Sequence, residues 1–265
     1  MWQIGGNIMV LYEFDDNKEA IINPWGILRD EVVVKGEMPK VAVACFEAKT
    51  FNRLVNLLDG ELIAATKNAN GDEPIYRVTY KGKELALYMA DVGASGAGSQ
   101  LEEIYALGVE KVIVFGSCGV LYEDIEDCSI IIPNSAVRDE GLSYHYAPPS
   151  DEIDVNLKYI PEFTSLLDEM GLGYRIGKVW TTDGFYRETR SKMEKRKASG
   201  CICVDMECSA LAAVASFRGK ELFHFFYTAD CLDGTEWDKR SLSDEVKFKE
   251  KDMYSQLALE LAVRI

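Results

Sequence analysis

The stretch Cys203–Gly219, "CVDMECSALAAVASFRG", sets two acids, Asp205 and Glu207, on either side of Met206 where an apolar run gives way to an alanine-rich one. The residues up to Val204 read as a buried strand. The run from Cys208 onward is rich in Ala and Leu, which favour helix. A strand-to-helix junction is a costly place to bury charge without a partner. These acids either cap the helix or hold something. If the segment is extended, alternation sends Asp205 and Glu207 to opposite sides, so one can face a cavity while the other caps.

The same handover recurs outward in both directions. "KVAVACF" (40–46) reads as a buried strand and "TFNRLVNLL" (50–58) as a helix ending near Gly60. "YRVTY" and "ELALYMADVG" flank Lys81–Lys83 as two strands around a tight turn. "SQLEEIYALG" (99–108) has helical spacing. "KVIVFGSCGVL" (111–121) reads as a buried strand ending in a small-residue loop, and "CSIIIPNSAVRDEG" (128–141) as another strand. A helix over 160–171, the strand "YRIGKVWTTDG" (174–184), a basic helix over 187–198 and a strand over 201–206 follow. The helix 207–218, the strand "ELFHFFYTAD" (221–230) and a long helix from about Leu242 complete the chain. Strands alternating with helices imply an α/β fold with a mostly parallel sheet covered on both faces. No linker or repeat interrupts the pattern, which predicts a single domain over residues 39–265 preceded by an N-terminal arm, residues 1–38. That arm includes "INPWGILRDEVV" (22–33) as a short helix.

The chain has 265 residues, with 29 Lys and Arg against 44 Asp and Glu, a net charge of −15. Nucleic acid and anionic membrane are excluded as partners, because phosphate contacts need clustered Lys and Arg. A small anion remains compatible, since backbone N–H groups can bind one inside an acidic protein. Seven scattered cysteines, no CxxC pair and two histidines give neither a disulfide framework nor a metal site. Reduced thiols and the lack of a transmembrane-length apolar run predict a cytoplasmic protein.

Ligands of open α/β sheets gather at the carboxyl ends of strands. "DVGASGAGSQ" (91–100), around Gly96, lies at one such end and opens a helix, where N–H groups stabilise an anion. Its spacing is GxxGxG, and the next strand ends without the acid that a dinucleotide ribose needs, which argues against a nicotinamide enzyme. Ser117 lies in a second small-residue loop. Cys118 beside it has no local histidine to activate it and reads as structural. Asp230 follows a largely apolar strand, where desolvation raises a carboxyl pKa and suits a general acid. His145 lies in the loop "GLSYHYAPP", and His224 sits mid-strand as a core residue.

Together and in order, "VGASGAGS", "VFGSCGVL", "TTDGFYRET" and "VDMECSALAAV" resemble the nucleoside phosphorylase superfamily, over roughly residues 38–262. The resemblance implies a single-domain α/β fold with a mixed, distorted central sheet surrounded by helices. It implies a nucleoside phosphorylase, a pentosyltransferase that cleaves a nucleoside with inorganic phosphate as co-substrate and without another cofactor. Its partners are then small molecules and further copies of itself, as a dimer or hexamer. Met206 and Glu207 would hold the ribose with His145. Phe185 and Thr189 would meet the base, Ser117, Gly96 and Lys49 the phosphate. Asp230 would protonate N7 of a departing purine. Asp205 is left to cap or pack.

The chain departs from that pattern in two places. The Gly-Asp-Pro-x-Arg loop that many phosphorylases carry after the first strand is "ACFEAK" (44–49) here, and an arginine often found before "GSCG" is Val114. Lys49, Arg138, Arg187 or an arginine from a neighbouring subunit are the candidate replacements. Hydrolytic nucleosidases of the superfamily lack both arginines and carry a glutamate in the first loop, where Lys49 aligns in this chain and Glu47 stands two positions earlier. Uridine phosphorylases read uracil through Gln and Arg where Thr189 and Ser191 stand here. Asp230 and that difference favour a purine.

Overall fold

The computed structural model describes residues 10–242 and 248–265. In chain order the elements are α1 (Pro24–Glu31), β1 (Val41–Cys45), α2 (Ala48–Leu57), β2 (Glu61–Asn68), β3 (Gly71–Tyr80), β4 (Lys83–Met89), α3 (Ala94–Ala106), β5 (Lys111–Val120) and β6 (Ile130–Asp139). They continue as α4 (Ser143–Tyr146), β7 (Glu152–Asp154), α5 (Ile160–Glu169), β8 (Tyr174–Thr182), α6 (Arg190–Ala198), β9 (Cys201–Asp205), α7 (Cys208–Arg218), β10 (Glu221–Cys231) and α8 (Phe248–Arg264). The start expected for the last helix, near Leu242, runs into residues outside the described ones.

Among the described residues, all ten strands belong to one sheet, in the order β10-β6-β8-β9-β5-β1-β4-β3-β2, with β7 on β6. A further pairing of β10 with β5 closes β10, β6, β8, β9 and β5 into a ring. The sheet is mixed: β1–β4, β1–β5, β5–β10, β6–β8 and β8–β9 are parallel, whereas β5–β9 and β6–β10 run antiparallel. This corrects the mostly parallel sheet that strand–helix alternation predicts, and agrees with the distorted mixed sheet that the resemblance implies. Antiparallel closure is a long-range pairing that no local pattern encodes.

Alternation along the strands sorts side chains into layers. In β1, Val41, Val43 and Cys45 pack with Phe51 of α2, Phe163 of α5 and Leu257 of α8. Ala42 and Ala44 face the other way, onto Leu101 and Ile104 of α3 and Leu211 and Val214 of α7. Both faces of the strand are therefore covered, as its near-continuous apolar sequence requires. A third cluster, including Cys118, Ile131, Val179, Cys203 and Phe226, comes from the five ring strands. The segment before β1 is tied to the body: Val32 and Val34 pack on the second cluster, and the Lys35 amide donates to the Ile63 carbonyl at 2.8 Å.

Two details differ from the sequence reading. The segment Glu61–Asn68 is a strand, β2, paired antiparallel with β3. The segment 116–120 continues β5 instead of forming a loop, pairing with β10 up to Val120. Its small residues serve close approach: a Cβ at Gly119 would lie 3.1 Å and 3.2 Å from the two carboxyl oxygens of Asp230.

Candidate active site

β5, β9 and β10 end beside one another, and the cleft they open is about 930 Å³. Ser117, Phe185, Met206, Glu207 and Asp230 all line it. They come from four separate segments, so the strand order is what brings them together.

Asp205 and Glu207 divide the roles between them. Asp205 ends β9 and is buried. Its Oδ1 accepts from the Thr181 hydroxyl at 2.7 Å, and its Oδ2 from the amides of Glu207 and Cys208 at 3.0 Å and 2.7 Å. It thereby caps the start of α7, whose first N–H groups lack partners within the helix. Burial pushes its carboxyl up to about 6 despite these donors, with the charge of Glu140 adding to the rise. Glu207, which lines the cleft beside it, has a different partner. Its Oε1 accepts from the Gly93 amide at 2.5 Å, and burial, then the Asp205 charge, pushes its carboxyl up to about 8. Gly93 holds that amide in place with φ 89°, a conformation that suits glycine.

Asp230 follows the apolar run of β10 and is half-buried. The Trp237 indole donates to its Oδ2 at 2.8 Å. Burial raises its carboxyl above the usual range, while the Trp237 bond and the Arg240 charge pull the other way. Phe185 and Tyr186, both exposed, pack at the cleft wall with ring centroids 3.8 Å apart and their planes tilted by 36°. Glu188, one helical turn further on, faces the same cleft.

A smaller recess of about 170 Å³ shares Phe46, Ser117 and Leu242 with the cleft. Its polar lining includes Glu47, Thr50, Ser117 and Ser241. The Thr50 hydroxyl donates to the Glu47 carboxylate.

Four expected residues do not line the cleft. Lys49 is exposed on α2, and Gly96 sits in the first turn of α3 against the Asp91 side chain. His145 is exposed on the short α4. Thr189 caps α6, its hydroxyl accepting from the Lys192 amide at 3.4 Å. Arg138, a candidate for the phosphate, is buried and committed to its own loop. It donates to the Ser143 and Ser150 hydroxyls and to the carbonyls of Ala147 and Pro148. Arg187 is exposed and lines neither cavity. Among the described residues, Arg190 is the one cation lining the cleft, and its guanidinium donates to the carbonyls of Leu232, Asp233 and Gly234.

The sequence reading missed Glu188, Trp237 and Phe46. Glu188 lay within the quoted "TTDGFYRET" segment; Trp237 carried no local signal, because its contact with Asp230 depends on how the 232–238 loop folds back. His224 is buried as expected, with both ring nitrogens unpartnered and its imidazole pushed down to about 3 by burial. Ligand atoms of Asp205, Cys208 and His224 lie within 4.8 Å of one another. Asp205 already accepts three hydrogen bonds, and burial pushes the Cys208 thiol well above its usual value, away from the thiolate that a metal needs.

With this geometry in place, comparison with known proteins gives the family. The model of the Phosphorylase superfamily matches residues 32–260, and the chain belongs to that superfamily. A guanosine phosphorylase of Halorubrum lacusprofundi is 24% identical over 195 residues, covering 71% of this chain and 77% of that protein. A DeoD-type purine nucleoside phosphorylase of Colwellia psychrerythraea is 28% identical over 206 residues, 76% of this chain and 84% of the relative. In fold, the chain matches a uridine phosphorylase structure from Vibrio fischeri with a TM-score of 0.74 at 23% identity, over 88% of this chain and 95% of the other. It matches a purine nucleoside phosphorylase from Toxoplasma gondii, in complex with immucillin-H, equally well in TM-score, 0.74, at 18% identity over 86% and 92% of the two chains.

Proposed function

We propose that this protein is a nucleoside phosphorylase, a pentosyltransferase that cleaves a purine nucleoside with inorganic phosphate to give free base and ribose 1-phosphate. The observation that carries the reading is the convergence of Glu207, Met206, Phe185, Ser117 and Asp230 on one cleft. Family membership and the names of the relatives point the same way.

In this reading the base stacks on Phe185 and the ribose rests on Met206. Glu207 accepts the 2′ and 3′ hydroxyls, which add to the donor that the Gly93 amide already gives it. As the bond from C1′ to N9 breaks, its electron pair moves into the base and the sugar becomes oxocarbenium-like. Asp230, its carboxyl raised by burial, protonates N7 and removes the developing negative charge. A phosphate oxygen held near Ser117 attacks C1′, and its charge opposes that of the cationic sugar. The chemistry calls on no metal or organic cofactor. We assign the protein to the cytoplasm, a reading supported by its seven free cysteines. No helix among the described residues is long and apolar enough to cross a membrane. We also propose a homo-oligomer, a dimer or hexamer, in which a neighbouring subunit supplies cations to the phosphate.

One observation favours a second reading, hydrolysis. Glu47, not a cation, lines the recess beside Ser117, and a carboxylate there would activate water. Base release from guanosine, inosine, adenosine and uridine tests the substrate class: purines turning over with uridine inert fits Asp230 as the acid. Uridine turning over faster than every purine contradicts it.

A further inference from the structure

The reaction as written leaves one carboxyl of the cleft unused. Glu188 is half-buried, and among the described residues its side chain has neither a hydrogen-bond donor nor a salt-bridge partner. The other acids nearby are satisfied. Asp205 accepts three hydrogen bonds, Glu140 accepts from the Ser209 hydroxyl and the Ser143 amide, and Glu207 accepts from Gly93. The charges that reach Glu188 are those of Asp230, which repels, and Lys192, which attracts. Lys192 is itself paired with Asp139 at 3.2 Å, and Arg190 beside it is spent on the 232–234 carbonyls. An unpaired carboxyl close enough to a second acid in one cleft to feel its charge is costly, and such groups concentrate at functional sites.

We propose that Glu188 reads the six-membered edge of the purine and sets the choice between 6-oxo and 6-amino bases. The assignment rests on the nucleoside reading above. With Phe185 under the ring and Asp230 at N7, Glu188 is the carboxyl next to Asp230 on the cleft wall. A 6-oxopurine presents an N1–H donor, and guanine adds its 2-amino group, so an ionised carboxylate accepts from both. A 6-aminopurine presents an acceptor at N1 beside an amino donor. That pair matches a protonated carboxyl, which donates through its hydroxyl and accepts through its carbonyl. Burial, with the Asp230 charge second, pushes Glu188 up to about 8, so both forms are accessible near neutrality.

The test is the ratio of kcat/KM for guanosine over adenosine between about pH 6 and about pH 9, in the wild type and in Glu188→Gln. The wild-type ratio is expected to rise about tenfold or more, the scale of a charge-assisted hydrogen bond. The Glu188→Gln amide keeps one donor and one acceptor at every pH, so its ratio should stay flat near the wild-type acid value. A flat wild-type ratio overturns the assignment without any variant. A Glu188→Gln ratio that tracks the wild type also overturns it. Failure of the wild type to cleave any purine nucleoside overturns the purine reading itself, and the assignment with it.

Discussion

The Glu207 carboxylate and the Gly93 amide, 114 residues apart in sequence, meet at 2.5 Å, joining the start of α7 to the turn ahead of α3 at the cleft wall. That bond occupies one carboxyl oxygen and aims the side chain. Glu207→Ala should lower kcat/KM for ribonucleosides by about 10- to 100-fold, the equivalent of about 1.5–3 kcal/mol for the two hydrogen bonds to the ribose hydroxyls. The 2′,3′-dideoxy analogues lack the hydroxyls and should lose far less. Equal losses for both sugar types would show that Glu207 does not hold the diol.

Asp230 and Trp237 form the second testable pair. Asp230→Asn removes the proton donor and should cut kcat by about 10² to 10⁴, with an unchanged circular dichroism spectrum. Trp237→Phe leaves the acid in place but removes the indole bond that pulls its pKa down. The group then holds its proton to higher pH, so the alkaline limb of kcat should shift upward. A limb that stays put, or moves to lower pH, would separate Trp237 from the acid.

Asp205 acts on the fold. Asp205→Ala strands the Thr181 hydroxyl and two amides at the head of α7, and should cost about 2–3 kcal/mol through the lost cap and unpaired buried groups. Urea denaturation reads this directly. A midpoint within error of the wild type would mean that another group caps the helix.

Glu207 also makes stability depend on pH. Its carboxyl is raised from 4.5 to about 8, so over that range the native state holds a proton that the unfolded state has released. Its contribution is fully present below about 4.5 and is lost as pH rises through about 8. Glu188 has the same sign. His224, lowered from 6.5 to about 3, acts oppositely and only below 6.5. Between about pH 6.5 and about pH 8.5 the wild type should therefore lose more stability than Glu207→Gln. Parallel declines in the two proteins would place the proton elsewhere.

Much of the fold was legible because burial on both faces writes itself as continuous apolar runs. Thus "KVAVACF" and "KVIVFGSCGVL" announced β1 and β5, and the acids after "CICV" marked the end of β9. Strand β2 escaped because its burial does not alternate cleanly and a register shift falls between Leu62 and Ala64. The Asn70–Gly71 dipeptide after it is a hairpin signal that could have found it.

The site was legible where one residue type answers one chemical need, as with Glu207 facing the cleft and Asp205 capping. It was not legible where the role depends on partners far away in sequence. Arg138 is as cationic as a phosphate ligand should be, yet its hydrogen bonds are used within residues 143–150. Trp237 carries no motif, and matters only because β10 and the loop after it bring it back onto Asp230.

The most direct measurement is the fate of the sugar, followed through its anomeric proton by NMR during cleavage of guanosine with and without inorganic phosphate. The account predicts ribose 1-phosphate in step with free base, and no base release when phosphate is withheld. Free ribose formed at the same rate in both conditions would contradict it, and would make water, activated beside Glu47, the nucleophile.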